Sequence, residues 1–209
     1  MISRRGHYHV ARLQLGMAGH GVCPWWVGYF LANRLRRLIQ DPGHLLTPYV
    51  RGGMAVLEPG PGLGFFTLDL ARLVGPAGRV IAVDVEPRMI EGLRRPARKT
   101  GLIDRIDSRV RPTSMALDDV EGAIDFVFAF AVVHEMPASA PFFAEAARAL
   151  KPGASLLLAE PPGHVDDAEF AGELAAAAES GLSVESHPLL RSSHAALLRK
   201  PAASAGWIS

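Results

Sequence analysis

Short apolar runs alternate with longer amphipathic segments along most of the chain after residue 53. The runs are rich in β-branched and aliphatic side chains and predict buried strands at residues 54–57, 79–83, 106–110, 124–130 and 155–159. The segments between them repeat apolar residues at helical spacing and predict helices at 65–74, 87–99, 138–150 and 166–180. Strands that alternate with helices form right-handed crossovers, so the pattern predicts an α/β fold with a parallel sheet.

Both ends of the chain add elements to this predicted core. Residues 183–190 and 194–198 predict a terminal hairpin that closes the sheet. Residues 24–40 have the spacing of an amphipathic helix with a proline in its first turn, and residues 42–50 predict a second short helix. The expected organisation is a helical segment at 1–50 that covers the cleft, a core at 51–201 and a tail at 202–209.

The charge of the chain is nearly balanced, with a formal net charge of +1 over 209 residues. A surface that binds duplex nucleic acid normally shows a marked basic excess, so nucleic acid is not an expected partner. The N-terminal end differs, because seven arginines precede Gly52 and Asp41 is the single acid there. This end either faces an anionic partner or forms a solvated helix face. Charged residues interrupt every long apolar run, so no membrane-spanning helix is expected.

The single cysteine, Cys23, excludes an intrachain disulfide and a multi-cysteine zinc cluster. One cysteine agrees with a reducing cytosol, and no export signal is recognisable, so a cytoplasmic location is expected. His20 and Cys23 have the spacing of half a metal site, but a complete site would also need His134 and Glu135, and no metal is predicted. The sequence leaves open whether the chain forms a homo-oligomer.

A glycine-rich loop at residues 58–64 connects the first predicted strand to the helix that follows it. Gly60, Gly62 and Gly64 alternate in this loop, which lets the backbone turn tightly and a ligand approach closely. A dinucleotide-binding fingerprint has its third glycine one position later, where this chain has Phe65. Glu58 would also repel a pyrophosphate, whereas a sulfonium amino acid with a positive amino group would be attracted to it. The alternative role for Glu58 is to cap the helix.

Asp84 ends the second predicted strand, about twenty residues beyond the last glycine of the loop. A carboxylate at this place can accept hydrogen bonds from both hydroxyls of a ribose. This geometry serves the adenosine of NAD and that of S-adenosylmethionine equally, so Asp84 indicates a nucleoside ligand without choosing between them. The alternative is that Asp84 only caps the helix predicted at 87–99.

Four segments together resemble the class I S-adenosylmethionine-dependent methyltransferases. Residues 58–64 resemble the first motif of that family, and residues 80–85 with Met89 resemble its second. Residues 124–127 resemble its fourth strand, and residues 150–153, whose proline and glycine predict a turn, resemble the approach to its fifth. The resemblance implies a Rossmann-like, seven-stranded sheet, mostly parallel with an antiparallel last strand, preceded by N-terminal helices. It also implies S-adenosylmethionine as cofactor.

The resemblance and the loop together identify a set of cofactor-binding candidates. They are Glu58, Gly60, Pro61, Gly62, Gly64, Asp84, Val85, Thr113, Ser114, Ala129 and Phe130. Two departures from the family pattern matter. Glu58 stands where the family more often has aspartate, which is one methylene shorter. After the third strand, residues 111–115 offer only hydroxyls and backbone groups for adenine, where the family often has an acid or amide.

The turn after the fourth strand should face the methyl acceptor, because ligands of open parallel sheets lie beyond the carboxyl ends of the strands. His134 and Glu135 are therefore the catalytic candidates, since histidine can take a proton from the acceptor near neutral pH. The alternative for His134 is a structural or positioning role. Trp25, Trp26 and Tyr29 are predicted to contact the acceptor together with His134, or alternatively to anchor the N-terminal helix to the core.

The sequence favours methyl transfer to a small-molecule acceptor, but three other functions stay open. A nicotinamide-dependent oxidoreductase would use the same glycine loop and Asp84. A non-catalytic module would keep the cofactor site and methylate nothing. A macromolecular acceptor, RNA or protein, is supported only by the basic N-terminal end.

Overall fold

The computed structural model of the protein describes residues 42–112, 114–190 and 193–202. These residues form a seven-stranded sheet in the order β3-β2-β1-β4-β5-β7-β6. The strands are β1 (Ala55–Pro59), β2 (Arg79–Asp84), β3 (Ile106–Val110), β4 (Ile124–Phe130), β5 (Leu150–Glu160), β6 (Ser183–Ser186) and β7 (His194–Arg199). The first five are parallel, whereas β7 runs antiparallel to both β5 and β6. The predicted mostly parallel sheet, closed by a hairpin, is confirmed.

Helices cover both faces of the sheet. They are α1 (Pro42–Leu46), α2 (Thr67–Val74), α3 (Pro87–Lys99), α4 (Ser139–Ala149) and α5 (Asp167–Glu179). One core cluster joins α1, α2 and α3 to one face through residues such as Val56 and Val80. The second cluster joins α4 and α5 to the other face through residues such as Leu57 and Ile81. Neighbouring residues of one strand thus enter different cores, which explains why the strands are apolar throughout.

Helix starts follow local capping chemistry. Pro87 occupies the first turn of α3, and the Glu86 side chain accepts a hydrogen bond from the Arg88 amide at 3.0 Å. Asp166 and Glu169 form a reciprocal capping box at the start of α5. These caps fix where the chain leaves the carboxyl edge of the sheet and enters each helix.

Residues 150–153 form the beginning of β5 rather than the predicted turn. Leu150 pairs with Ile124, and the register then shifts before Phe126, so this pair of strands contains an irregularity. Gly153 adopts a φ of +78°, and its amide donates to the carbonyls of Lys200 at 3.0 Å and Pro201 at 3.3 Å. The glycine therefore bends the strand toward the end of β7 without interrupting the sheet.

Three other predicted elements are shorter in the structure by two or more residues at one end. The strand predicted at 183–190 ends at Ser186, because Pro188 has no amide hydrogen to donate to the ladder. The helix predicted at 42–50 ends at Leu46, two residues before Pro48. The helix predicted at 65–74 begins at Thr67. The helix predicted at 24–40 lies outside the described residues. Within the described part of the chain, no helix is long and apolar enough to cross a membrane.

Candidate active site

The glycine loop follows β1 at the carboxyl edge of the sheet, and its three glycines have different surroundings. A Cβ atom on Gly60 would lie 2.5 Å from Cγ2 of Val132, and one on Gly64 would lie 2.4 Å from Cδ1 of Leu93. These two glycines are therefore required for packing. Gly62 has a φ of +53°, and a Cβ atom at this position would have no neighbour within 4 Å. Gly62 also lines a large cavity. Gly62 leaves the loop open where a ligand can approach the backbone.

Glu58 lies beneath this loop with 3% of its surface exposed. Its Oε2 atom has no hydrogen-bond partner within the described part of the chain. Burial raises the pKa of Glu58 to about 8, the charge of Asp84 adds to the rise, and the Thr67 hydroxyl opposes it. The N-cap position of α2 is Phe66, without a side-chain capping bond, so Glu58 does not cap that helix. A buried carboxyl without a partner fits a positively charged amino group.

Asp84 ends β2 beside the loop, and its carboxylate lines the same cavity. Its Oδ1 atom accepts a hydrogen bond from the Glu86 amide at 2.9 Å. Burial raises the pKa of Asp84, and hydrogen bonds from the backbone amides of Glu86, Gly62 and Val85 oppose the rise. The capping bond of α3 is made by Glu86, so capping does not explain the acid at position 84. The carboxylate lies where it can accept hydrogen bonds from ribose hydroxyls.

One cavity of about 980 Å³ extends along the carboxyl ends of β1, β2 and β4. It brings together nine of the residues that the sequence predicted for the site, which are Gly60, Pro61, Gly62, Asp84, Val85, Ser114, Phe130, His134 and Glu135. Glu58 is buried and Gly64 lies against Leu93, and neither residue lines the cavity. Ala129 does not line it either, because this residue is fully buried in the sheet opposite Leu158. Thr113, Trp25, Trp26 and Tyr29 lie outside the described residues.

The wall of the cavity is mainly apolar, and several of its residues were not predicted from the sequence. The apolar residues include Leu63, Phe65, Phe66, Met89, Met115, Val132, Met136, Pro141 and Phe142, and the unpredicted polar ones are Glu86, Arg111 and Glu145. Phe142 and Glu145 come from α4, which follows the acceptor-side turn. The helical spacing of α4 predicted a core face there, and nothing in that spacing distinguishes a core residue from a cavity wall.

His134 lies in a single turn of 3-10 helix, Val133–Glu135, directly after β4. Its Nδ1 atom is 2.5 Å from Oε2 of Glu160, the last residue of β5. Glu160 is fully buried, and its Oε1 atom accepts hydrogen bonds from the amides of Val133 at 2.8 Å and Val132 at 3.3 Å. Glu160 was not predicted as a site residue, although a charged residue that ends an apolar strand at the ligand-binding edge of the sheet was the available signal.

Other titratable groups surround His134. Its hydrogen bond to Glu160 raises the pKa of His134, burial opposes the rise, and the charges of Glu160, Glu135 and Glu173 add to it. Burial also raises the pKa of Glu135, and it raises that of Glu173 on α5 to about 7. The ring of His164 stacks on that of His134 with 5.4 Å between centroids. Among the described residues, no group of three or more histidine, cysteine or acidic residues is arranged to hold a metal; His20 and Cys23 lie outside them.

Comparison with known proteins places the chain in a family. The model of a family described as a methyltransferase domain matches residues 51–191. The ribosomal protein L11 methyltransferase of Pelotomaculum thermopropionicum is 36% identical over 113 residues, which are 54% of this chain and 34% of the relative. The catechol O-methyltransferase of Mycobacterium tuberculosis is 38% identical over 74 residues, which are 35% of this chain and 34% of that protein. The chain thus spans about a third of the length of these curated relatives.

A solved structure agrees with this assignment at the level of fold. The chain superimposes on a SAM-dependent methyltransferase from Aquifex aeolicus with a TM-score of 0.76 and 23% identity, over 86% of this chain and all of the other. The sequence resemblance implied three of these features: a seven-stranded, mostly parallel sheet, an acid at the start of the glycine loop and an acid that ends β2. The matched segment contains both acids and the strands β1 to β6, and it covers more than half of the chain, so this protein belongs to the class I S-adenosylmethionine-dependent methyltransferase family.

Proposed function

We propose that this chain transfers a methyl group from S-adenosylmethionine to a small, largely apolar acceptor. One observation carries the proposal: a single cavity of about 980 Å³ reaches from Gly62 and Asp84 to His134 and Glu135. We call the part around Gly62 and Asp84 the cofactor half of the cavity and the part around His134 and Glu135 the acceptor half. A volume of this size corresponds to pockets that enclose small molecules, which typically have roughly 300–1,000 Å³.

The cofactor half of the cavity suits a positively charged nucleoside. Gly62 offers an open approach to the backbone of the loop, and Asp84 offers a carboxylate for the ribose. The buried carboxyl of Glu58, directly before the loop, would attract the amino group, and that attraction would offset the cost of burying an unpartnered carboxyl. A pyrophosphate at the same place would meet the charge of Asp84 and could not favour the ionised form of Glu58, which argues against a nicotinamide cofactor.

The acceptor half suits a neutral, apolar molecule. Met136, Pro141 and Phe142 supply apolar surface beyond His134, and Glu135 is the acid nearest to it along the wall. When bound, S-adenosylmethionine supplies an electrophilic methyl group. The residues of this half hold the acceptor in line with that group and exclude water, which are the contributions that methyl transfer requires of a protein.

The named relatives differ in their acceptors, one being a ribosomal protein methyltransferase and the other a catechol methyltransferase. We favour a small acceptor because the acceptor-side residues line the same cavity as the cofactor-binding candidates. For a macromolecular acceptor, the reacting side chain or base would have to enter this cavity.

Calorimetry with S-adenosylhomocysteine, NAD and NADP tests the proposal directly. We expect S-adenosylhomocysteine to bind in the micromolar range that is common for small ligands, with no heat from either nicotinamide nucleotide. Tight NAD binding without a response to S-adenosylhomocysteine would contradict the proposed function. A second assay follows methyl transfer from labelled S-adenosylmethionine to pooled phenols, amines and thiols beside purified ribosomal protein. Labelling of the protein alone would indicate a macromolecular acceptor.

A further inference from the structure

The bond between His134 and Glu160 is the strongest feature of the site that the sequence did not indicate. We propose that Glu160 is a positioning residue that holds His134 as the proton acceptor for a methyl acceptor with an acidic hydroxyl, of the phenol or enol class. The inference rests on the function proposed above and adds the class of the reacting group. It is carried by the hydrogen bonds of Glu160, by the position of His134 on the cavity wall and by the apolar surface around it.

The hydrogen bonds of Glu160 determine which ring nitrogen of His134 carries the proton. A carboxylate can only accept hydrogen bonds, so Nδ1 of a neutral His134 must donate to Oε2 at 2.5 Å. The lone pair of the imidazole then lies on Nε2, which has no hydrogen-bond partner within the described ranges. Because the Nδ1 side of the ring faces a fully buried carboxylate and the ring lines the cavity, Nε2 is the nitrogen available to a ligand.

Glu160 also fixes the turn that carries His134. Its Oε1 atom accepts from the amides of Val132 and Val133, the two residues directly before the histidine. Ala131, with a φ of +53°, donates from its amide to the Ala159 carbonyl at 2.7 Å. The end of β4 is thereby attached to the end of β5 by backbone and side-chain bonds, and a non-glycine residue is held in a conformation that costs energy. Such strain is common where a functional side chain is held in place.

The surroundings of His134 strengthen it as a base. Four groups face it, which are Glu160 at the end of β5, Glu135 in the same turn, Glu173 on α5 and the stacked ring of His164. The three acids raise the pKa of His134, so the imidazole holds a proton more firmly once it has taken one. The charged form that results lies against the buried Glu160 carboxylate, which stabilises it.

A base of this kind assists a hydroxyl more than it assists a neutral amine. A neutral amine attacks through its lone pair and loses its proton afterwards, whereas a hydroxyl oxygen becomes a good nucleophile only as its proton leaves. In the proposed step the acceptor O–H gives its proton to Nε2 of His134, and the oxygen forms a bond to the methyl carbon. The bond from that carbon to sulfur breaks with its electron pair on sulfur, which becomes neutral, and the imidazolium later releases its proton to solvent.

Substitution of Glu160 by glutamine tests the positioning role without knowledge of the acceptor. The carboxamide keeps one acceptor oxygen, and the two backbone amides of Val132 and Val133 need it. Its NH₂ group must then face Nδ1 and donate to it, so the imidazole proton should move to Nε2. At a pH where the His134 ring is neutral, nitrogen-15 NMR of labelled histidine is expected to show His134 protonated on Nδ1 in the wild type and on Nε2 in Glu160→Gln. The same tautomer in both proteins would overturn the positioning role.

A chromophoric phenol tests the acceptor class. The probe is 4-nitrocatechol, added to protein saturated with S-adenosylhomocysteine, because its ionised form absorbs visible light differently from its neutral form. In the wild type we expect the bound probe to ionise at least about one pH unit below its midpoint in free solution. His134→Gln and Glu160→Gln should bind the probe but return this midpoint to the free value. Glu179→Gln removes an exposed acid at the end of α5 and should behave as the wild type.

The outcomes separate the two proposals. If calorimetry shows no binding of S-adenosylhomocysteine, the proposed function itself fails. If the cofactor product binds but the probe does not bind, or binds with the same midpoint in wild type and His134→Gln, the hydroxyl assignment is wrong. If His134→Gln shifts the midpoint and Glu160→Gln does not, His134 is a base that Glu160 does not position. His134→Gln leaves Glu160 in place, so it provides a result even if Glu160→Gln does not fold.

Discussion

The carboxyl groups of Glu58 and Asp84 stand at the ends of adjacent parallel strands, and the charge of Asp84 contributes to the raised pKa of Glu58. Two acids close to each other are unfavourable in an empty site, particularly when one of them is buried without a partner. A ligand with positive charge relieves both effects. We therefore expect the proton on Glu58 to be coupled to occupancy of the proposed cofactor site.

Cofactor binding should release a proton near neutral pH. Because the pKa of Glu58 is raised to about 8, this group is protonated in the free protein at pH 7. An amino group beside it lowers that pKa, so we expect the release of about one proton per complex at pH 7. Calorimetry in buffers with different ionisation enthalpies measures this number. Glu58→Gln should abolish this proton release. If the wild type releases no proton on binding, Glu58 does not interact with the ligand.

The same group should make the protein less stable as the pH rises. The pKa of Glu58 is higher in the folded chain than its ordinary value of 4.5, so folding favours the protonated form. The free energy of unfolding should then decrease between pH 4.5 and about 8 and level off above that range. Glu58→Gln should remove this contribution and raise stability at pH 7 by about 3 kcal/mol. Urea titrations at several pH values measure the free energy of unfolding of both proteins. If this free energy changes equally with pH in the wild type and in Glu58→Gln, the expectation is wrong.

Two glycines provide a matched test of the open loop. Gly62 and Gly75 have φ values of +53° and +66°, and a Cβ atom at either position would have no neighbour within 4 Å. Alanine should cost stability at both positions, and more at Gly75, whose ψ of −169° lies in a region that is almost exclusive to glycine. Only Gly62 lines the cavity. We expect Gly62→Ala to weaken binding of S-adenosylhomocysteine by about tenfold or more, and Gly75→Ala to leave it unchanged, as measured by calorimetry. If Gly62→Ala and Gly75→Ala bind S-adenosylhomocysteine with equal affinity, the ligand does not lie against the loop.

Much of the fold could be predicted because its determinants are local. The strands β3 and β4 have the predicted bounds, since each is a continuous apolar or alternating run with turn residues beside it. The start of β5 could not be predicted in this way. Its bend at Gly153 is stabilised by carbonyls of Lys200 and Pro201, which are distant in sequence, and a proline-glycine pair alone indicates a turn.

The site was predictable where its residues follow one another along the chain. The glycine loop and Asp84 could be identified by spacing, and the cavity does unite them. Glu160 could not be assigned to His134, because the contact joins residues that are 26 positions apart. Glu145 and Phe142 have the spacing of buried helix positions, and only the sheet-helix packing shows that they border a cavity.

Asp84 should discriminate the ribose of the cofactor product. Asp84→Asn keeps an oxygen that can accept from the Glu86 amide, so the turn before α3 should persist. It loses the charge-assisted bonds to the ribose, which should weaken binding of S-adenosylhomocysteine by more than about 1 kcal/mol. Comparison with the 2′-deoxy analogue completes a double-mutant cycle. The wild type should bind the 2′-deoxy analogue more weakly than S-adenosylhomocysteine, whereas Asp84→Asn should bind the two ligands with similar affinity. If the effects of the substitution and of the missing hydroxyl on the binding free energy are fully additive, the ribose does not contact Asp84.

The last prediction concerns Trp25, Trp26 and Tyr29, which lie outside the described residues. Their aromatic density suggests that they cover the cleft and supply one wall of the acceptor pocket. In that case S-adenosylhomocysteine should slow amide hydrogen exchange in residues 20–29, and Trp25→Ala should weaken acceptor binding more than cofactor binding. The alternative is that these side chains anchor the N-terminal helix, and then Trp26→Ala should lower stability while exchange stays the same with and without ligand. Unaltered exchange at saturation would leave His134 and Glu135 as the remaining acceptor-side candidates.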